Sequence, residues 1–421
     1  MTASPVAGRT RVAVLQDGAR MHYALPIALQ RAGLLYRMFT EYYAAPGSAE
    51  AWVARLVGLV RPALARRMHL RYHAELDTAR VVRNPWLTVP QRIAGVTSPT
   101  LEDAYIRMSR LAGQWVRRVG WGRADALMGF IRNIDPRLCR SARRQGLLVV
   151  GDQIIAPAAV EHHEAAIQRE RFPGWEPPPK LLQVRQLEHE TWAVLDHITA
   201  PSEYVRDGLI GEGVAPERVS VLPYPAAAEW LRYVERPPDR KPLTVGFVGQ
   251  VNLRKGTPYF FEMARRFDPR EARFVMVGHV YLYPEAVAKY ARNVQLVGGH
   301  SRKQAGEWLE RFDILYFPST CEGSVGAVME AMMSGLPVVA TPNGGTVIRH
   351  AVDGFLTAYD DLDAAAAYLE RLVRDPELRR HIGRAAHERA CQFGVDAYGR
   401  MLRDMFDRLL RERAGRHAAG A

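Results

Sequence analysis

Short apolar runs recur along the chain, each closed by small or polar residues and followed by a stretch in which apolar positions return every three or four residues. A buried strand leading into an amphipathic helix leaves that signature. Arg11 to Leu15 opens the series, with a turn at Gln16–Arg20 and a helix from about Tyr23 to Ala32 that Gly33 closes. Strands are predicted at Arg123–Ile131 and Leu147–Val150, with helix Arg137–Gln145 between them. Further strands are predicted at Leu181–Val184 and Ile198–Ala200, around a helix near Gln186–Val194. Ser202 stands where an N-cap belongs, ahead of a helix at Tyr204–Gly213. The second half repeats the pattern: Leu243–Val248, Phe274–Val277, Val294–Val297, Ile314–Phe317 and Val338–Thr341 read as strands, with helices at Thr257–Phe267 and Val325–Ser334. Such alternation predicts an α/β fold built on parallel sheets. Pro223, Pro225, Pro237 and Pro238 mark a linker between the two series.

Candidate chemistry gathers in Phe312–Gly345, where strand, small-residue loop, helix and strand follow one another. Ligands of parallel sheets lie beyond the carboxyl ends of the strands, where this loop would sit. Gly323, Ser324 and Gly326 leave the backbone open at a helix start, which suits a phosphate or diphosphate. Glu322 and Glu330 frame the loop and would repel phosphate, so another part of the ligand must engage them. Sugar hydroxyls fit, because an ionised carboxylate only accepts. A nucleotide sugar follows from that chemistry, although on these two residues alone a solvated loop Glu and an exposed helical Glu account for the pattern better.

The segment resembles the E-x7-E signature of retaining glycosyltransferases of family 4, with Glu322 and Glu330 at its ends and EAMMSGLPVVAT running from Glu330 to Thr341. That family has the GT-B fold: two Rossmann-like parallel-sheet domains facing a central cleft. The resemblance implies an acceptor domain over 1–225, a linker over 226–240, a nucleotide-sugar domain over 241–395 and a last helix, 396–421, crossing back to the first domain. It gives Glu330 a ribose role and Glu322 a donor-sugar role. Ser324, Val325, Gly326 and Ala327 are implied to meet the donor, with Ser324 and Val325 departing from the common EGFG loop. Lys255 and Gly256 match the diphosphate loop G-R-L-x3-K-G, whereas Gln250 replaces its arginine and Arg254 is expected to compensate. Gly298 is implied to pass the nucleotide base, and Gly18 to face the acceptor. At the turn where many members carry a histidine, Asp152 and Gln153 stand instead, and Asp152 is taken as the catalytic-side residue. No metal is expected, since Lys255, Arg254 and the helix start would meet the leaving charge. The readings left open are transfer from a nucleoside-diphosphate sugar to a glycan or lipid-linked acceptor, in bacterial surface polysaccharide or glycolipid synthesis, and a non-catalytic sugar-nucleotide-binding scaffold.

Composition narrows the partners. The 421 residues are 48% hydrophobic and 24% charged, a globular balance large enough for two domains. The net charge of +12 suits nucleic acid, anionic lipid or phosphorylated ligands, but no nucleic-acid module is present. No apolar run approaches the ~20 residues of a membrane span. Cys139, Cys321 and Cys391 match no metal-ligand spacing, and their sparse, odd count fits a reducing cytoplasm. Residues 51–72 interleave Trp52, Leu56, Leu59 and Val60 with Arg55, Arg61, Arg66, Arg67 and Arg71. A basic amphipathic helix there would lie on an anionic membrane surface at the inner face of the cell membrane, or pack between domains, with Gly58 and Pro62 opposing one continuous helix.

Overall fold

A computed structural model describes residues 10–88, 101–178, 184–226, 231–238 and 240–419. The strand expected at Leu181–Val184 falls on 181–183, outside those residues. Strands β1 (Val12–Leu15), β2 (Leu35–Thr40), β3 (Val81–Arg83), β4 (Ala126–Phe130), β5 (Leu148–Asp152), β6 (His197–Ala200) and β7 (Val219–Val221) form a sheet in the order β3-β2-β1-β4-β5-β6-β7. A second sheet holds β8 (Leu243–Val248), β9 (Ala272–Val277), β10 (Val294–Gly298), β11 (Ile314–Phe317), β12 (Val338–Ala340) and β13 (Phe355–Leu356), ordered β10-β9-β8-β11-β12-β13. Every ladder is parallel. This is the GT-B arrangement that the sequence resemblance implies. Residues of β1, β4, β5 and β6 are buried throughout, as strands covered on both faces must be.

β5 runs two residues beyond the expected Val150, because Gly151 and Asp152 keep pairing with Gly129 and Phe130 of β4. Asp152 is therefore a strand residue, rather than part of the open turn suggested by the end of the apolar run. The 51–72 stretch is two helices, Ala49–Val60 and Pro62–His69, broken at the extended residue Arg61. Ser48 caps the first helix and Pro62 starts the second. A Cβ at Gly58 would meet that of Ala65 at 3.5 Å, so the pair packs on itself.

Several contacts among the described residues join the halves. The stretch after helix Ala158–Arg171, which reads in sequence as a proline-rich loop, inserts Trp175 into the second core, stacked on Tyr290 at 4.4 Å. Gly323 sits so close to Ile154 that a Cβ would lie 1.9 Å from its carbonyl oxygen, and Ser202 Oγ donates to the Gly323 carbonyl at 2.7 Å. Helix Val395–Ala419 returns to the first sheet, burying Tyr398, Leu402, Met405, Phe406 and Leu409 in its core beside Leu25 and Leu29. Truncating Phe406 there leaves a cavity, so Phe406→Ala should lower stability by about 3–5 kcal/mol. A urea midpoint unchanged in this variant would show that the first core closes without the returning helix.

Candidate functional site

The loop after β8 is built to place a lysine. Asn252 Oδ1 accepts from the Lys255 backbone N–H at 3.0 Å, which turns the chain. Gly256 then takes φ +72°, and a Cβ on it would lie 1.8 Å from the Pro318 carbonyl oxygen, so only glycine lets this loop close on the end of β11. The result brings Lys255 against Glu322. Lys255 Nζ and Arg254 Nη1 each stand 2.7 Å from Glu322 Oε1, and Ser319 Oγ donates to the same oxygen at 2.9 Å. Little water reaches the cluster, the Lys255 and Glu322 side chains being 13% and 10% exposed. Burial pushes the Lys255 ammonium below its ordinary pKa, against the pull of Glu322. Burial acts to raise Glu322 as well, but the Lys255 and Arg254 charges outweigh it and hold its carboxyl below the usual range.

On the other side of Gly323 lies a cavity of about 220 Å³ lined by Met21, His22, Tyr224, Arg302, Ser324 and Glu330 among others. Ser324 and Gly326 open it, Val325 is the N-cap residue of helix Gly326–Met333 with no side-chain cap, and Ala327 stands half-buried in the first turn. The N–H groups at that helix start are thus left for a ligand. Glu330 Oε1 accepts from Arg302 Nη2 at 2.7 Å and from Nε at 3.1 Å. The opposite wall is strained: Met21, His22 and Tyr23 have φ of 50°, 50° and 63°, a left-handed run that non-glycine residues rarely adopt and that clusters at ligand sites. Burial, then the nearby Arg302, lowers the His22 pKa, so its imidazole is neutral at pH 7.

Glu322, Lys255 and Arg254 thus meet in one cluster, and Glu330, Ser324 and Gly326 in the adjoining cavity. Gln250 is exposed, its amide oxygen 3.4 Å from Asn252 Nδ2. Gly298 ends β10 with φ +85°, just before the helix that carries Arg302. Gly18 has φ +70° and donates its N–H to Glu41 at 3.2 Å. Asp152 does not line the cavity: it is fully buried, with Thr199 Oγ1 donating to Oδ1 at 2.9 Å and Tyr224 OH to Oδ2 at 2.8 Å. Through Tyr224 it reaches the cavity wall at second hand. Three polar residues of the cavity lining were not singled out from sequence: His22, Arg302 and Tyr224. Arg302 and Glu330 are 28 residues apart, and no spacing rule links them.

Residues 242–375 match the family described as Glycosyl transferases group 1. Among curated relatives, the chain is 29% identical over 179 residues to the amylovoran biosynthesis glycosyltransferase AmsK of Erwinia amylovora, covering 39% of this chain and 44% of that protein. It is 26% identical over 178 residues to the N,N'-diacetylbacillosaminyl-diphospho-undecaprenol alpha-1,3-N-acetylgalactosaminyltransferase of Campylobacter jejuni, covering 41% and 46%. The match spans less than half the length of each of these relatives. Over nearly the whole chain the fold is that of a sucrose-phosphate synthase from Thermosynechococcus elongatus, with a TM-score of 0.66 at 16% identity, covering 96% and 100%. A HepE structure from Anabaena in complex with UDP and glucose aligns with a TM-score of 0.57 at 15% identity, covering 95% and 100%.

Burial pushes the Asp152 carboxyl up to about 7, against the hydrogen bonds from Tyr224 and Thr199. Between its ordinary 3.8 and about 7 the folded chain holds a proton that the unfolded chain has lost, so this group makes stability fall as pH rises through that window. Asp152→Asn removes the effect. Its Tm relative to wild type should therefore climb between about pH 4 and about pH 7 and level off above that. A difference constant across that range would place the ionisable group elsewhere.

Proposed function

We propose that this chain, whose residues 242–375 match the family described as Glycosyl transferases group 1, transfers a sugar, with retention, from a nucleoside-diphosphate donor to a glycan or lipid-linked acceptor. The observation that carries the reading is the Lys255–Glu322–Arg254 cluster beside an uncapped helix start. In our reading the diphosphate lies between those cations and the N–H groups of helix Gly326–Met333. Two phosphates compete better for Lys255 and Arg254 than one carboxylate does. Glu322 is then released from its cations and turns to the donor-sugar hydroxyls, while Glu330, oriented by Arg302, takes the ribose diol. The anomeric carbon–oxygen bond to the diphosphate breaks as the acceptor oxygen attacks from the same face. The departing phosphate oxygen takes the acceptor proton. Charge building on that leaving group is met by Lys255, Arg254 and the helix start, so the step is proposed to run without a metal. Gly323 pressed under Ile154 keeps bulk water from the bond being broken.

UDP is the first nucleotide to test, because the HepE neighbour holds it. UDP or another nucleoside diphosphate should raise the Tm of the wild type, and both Lys255→Ala and Glu330→Ala should lose the shift. Lys255→Ala should also cut transfer by about 10²-fold, with EDTA leaving the wild-type rate unchanged. A shift that survives both substitutions would falsify the site, and nucleotide binding without transfer of any sugar would leave the scaffold reading.

We propose further that the paired helices after β2 seat the protein on an anionic membrane surface, at the inner face of the cell membrane, where a lipid-linked acceptor would be met. Trp52, Leu56, Leu59 and Val60 are 60%, 62%, 82% and 82% exposed, among exposed arginines. Apolar groups that face water beside guanidiniums suit acyl chains and lipid phosphates. No described helix is long and apolar enough to cross a membrane. Wild-type protein should co-sediment with vesicles containing phosphatidylglycerol and lose most of that binding as Trp52→Ser/Leu59→Ser. Unchanged sedimentation of the double variant would overturn the docking surface.

A further inference from the structure

At the amino edge of the first sheet, five arginines gather around an open cavity of about 500 Å³. Arg140, Arg143 and Arg144 come from helix Pro136–Arg144, and Arg413 and Arg416 from helix Val395–Ala419. Helical spacing puts each set on one face: Arg140 lies three and four positions before Arg143 and Arg144, and Arg413 three before Arg416. Leu138, Cys139 and Ala142 take the buried side of the first helix, which turns its arginines outward. The cavity also touches Leu148, the first residue of β5, and Asp196, just ahead of β6. β5 then runs from this pocket to Asp152, which Tyr224 joins to the donor-side cavity. The two cavities therefore lie at opposite edges of the first sheet.

Charge in this pocket is unbalanced. Asp196 is the one acid of the lining; it stands 3.1 Å from Arg143 Nε and accepts from the Val149 N–H at 2.8 Å. Five guanidiniums less that carboxylate leave four positive charges. Arg413 Nη1 is buried with no hydrogen-bond partner. A cation in the closing turn of a helix complements its dipole. That accounts for single arginines, but not for a shared hollow in which like charges three and four residues apart repel and one donor is buried unpaired. A bound anion supplies what is lacking. Each guanidinium offers a planar fork of N–H donors, and a phosphate brings up to two charges and three accepting oxygens in a small volume. A carboxylate brings one charge, so linked phosphates neutralise this lining with the fewest groups. A membrane surface fits less well, because it needs apolar side chains beside the cations. Among the described residues, none of the exposed large hydrophobics lines the pocket, and Leu148 is buried. The exposed Trp52 and Leu59 belong to a helix held at the carboxyl edge, where Arg83 at the end of β3 meets Glu50 at 2.6 Å. Nor does an aromatic side chain line the pocket for a nucleic-acid base to stack on.

We propose that this pocket binds a soluble anion carrying two or more linked phosphates, and that the anion ties the closing turns of the returning helix to helix Pro136–Arg144. The pocket owes nothing to the transferase reading, and the test keeps the two apart. The probe is inorganic tripolyphosphate, titrated calorimetrically into Lys255→Ala protein, in which the donor-side cation cluster is broken. Two variants are built on that background, Arg413→Gln and the double change Arg140→Gln/Arg144→Gln. We expect tripolyphosphate to bind the Lys255→Ala protein and to raise its Tm with concentration. Each arginine variant should weaken that binding by about ten-fold or more. Absence of binding to Lys255→Ala, or binding unchanged in both arginine variants, overturns the pocket. Citrate bound as tightly as tripolyphosphate overturns the phosphate class in favour of an acidic segment of a partner protein. Sedimentation with phosphatidylglycerol vesicles that falls in the arginine variants but not in Trp52→Ser/Leu59→Ser overturns the soluble ligand in favour of a lipid headgroup. A variant whose Tm without ligand drops reports lost packing, and the other variant then decides. Failure of UDP to shift the wild-type Tm counts against the transferase reading alone.

Discussion

One shared oxygen organises the second half of the molecule. Glu322 Oε1 receives Lys255, Arg254 and Ser319 at 2.7–2.9 Å in a place that little water reaches. Two cations held that close repel each other strongly at low dielectric, and leaving either without its anion would be costly. The arrangement is tolerable because the carboxylate neutralises the pair and because its partners close around it. That closure explains the neighbouring glycines: Gly256 must pass under Pro318, and Gly323 under Ile154, for the acid and the bases to come into register. An anion of higher charge can replace the carboxylate without rebuilding the site, since the cations are already positioned.

The halves of the chain meet at the same point. Ser202 caps its own helix and at the same time donates to Gly323, while a Cβ at Gly345 would collide with the Gly323 carbonyl oxygen. Backbone from the loop after β11 and from the turn after β12 thus stack against the start of a first-sheet helix, with the Ser202 hydroxyl as the link. Further out, Tyr259 OH donates to Gln168 at 2.8 Å and Arg171 pairs with Asp360 at 2.8 Å. The joint is tight in its centre and polar at its rim.

Much of this was legible in the sequence where local chemistry and chain order coincide. Lys255 before Gly256, the small residues between Glu322 and Gly326, and the GLP turn after Ser334 each carry their meaning within a few positions. What was hidden depends on distant partners. β2, with Tyr36 and Arg37 inside its apolar residues, lacks the continuous run that marks β1 or β11. Asp152 looked like a turn residue because its polarity ended an apolar run, and only pairing with Phe130 and Thr199 makes it a strand residue. Trp175 sits in a proline-rich stretch whose target, Tyr290, is far along the chain. His22 reaches the cavity through three left-handed residues, a conformation that no propensity would suggest.

The returning helix has a consequence for how the chain comes into being. Val395–Ala419 follows every strand of both sheets, yet Tyr398, Leu402 and Phe406 complete the core beneath β1. During synthesis the first sheet emerges long before its last covering helix, and the second domain is made in the interval. The first sheet is therefore completed only after the second has been made, and its apolar flank stays open to chaperones, or to another nascent chain, until the returning helix emerges.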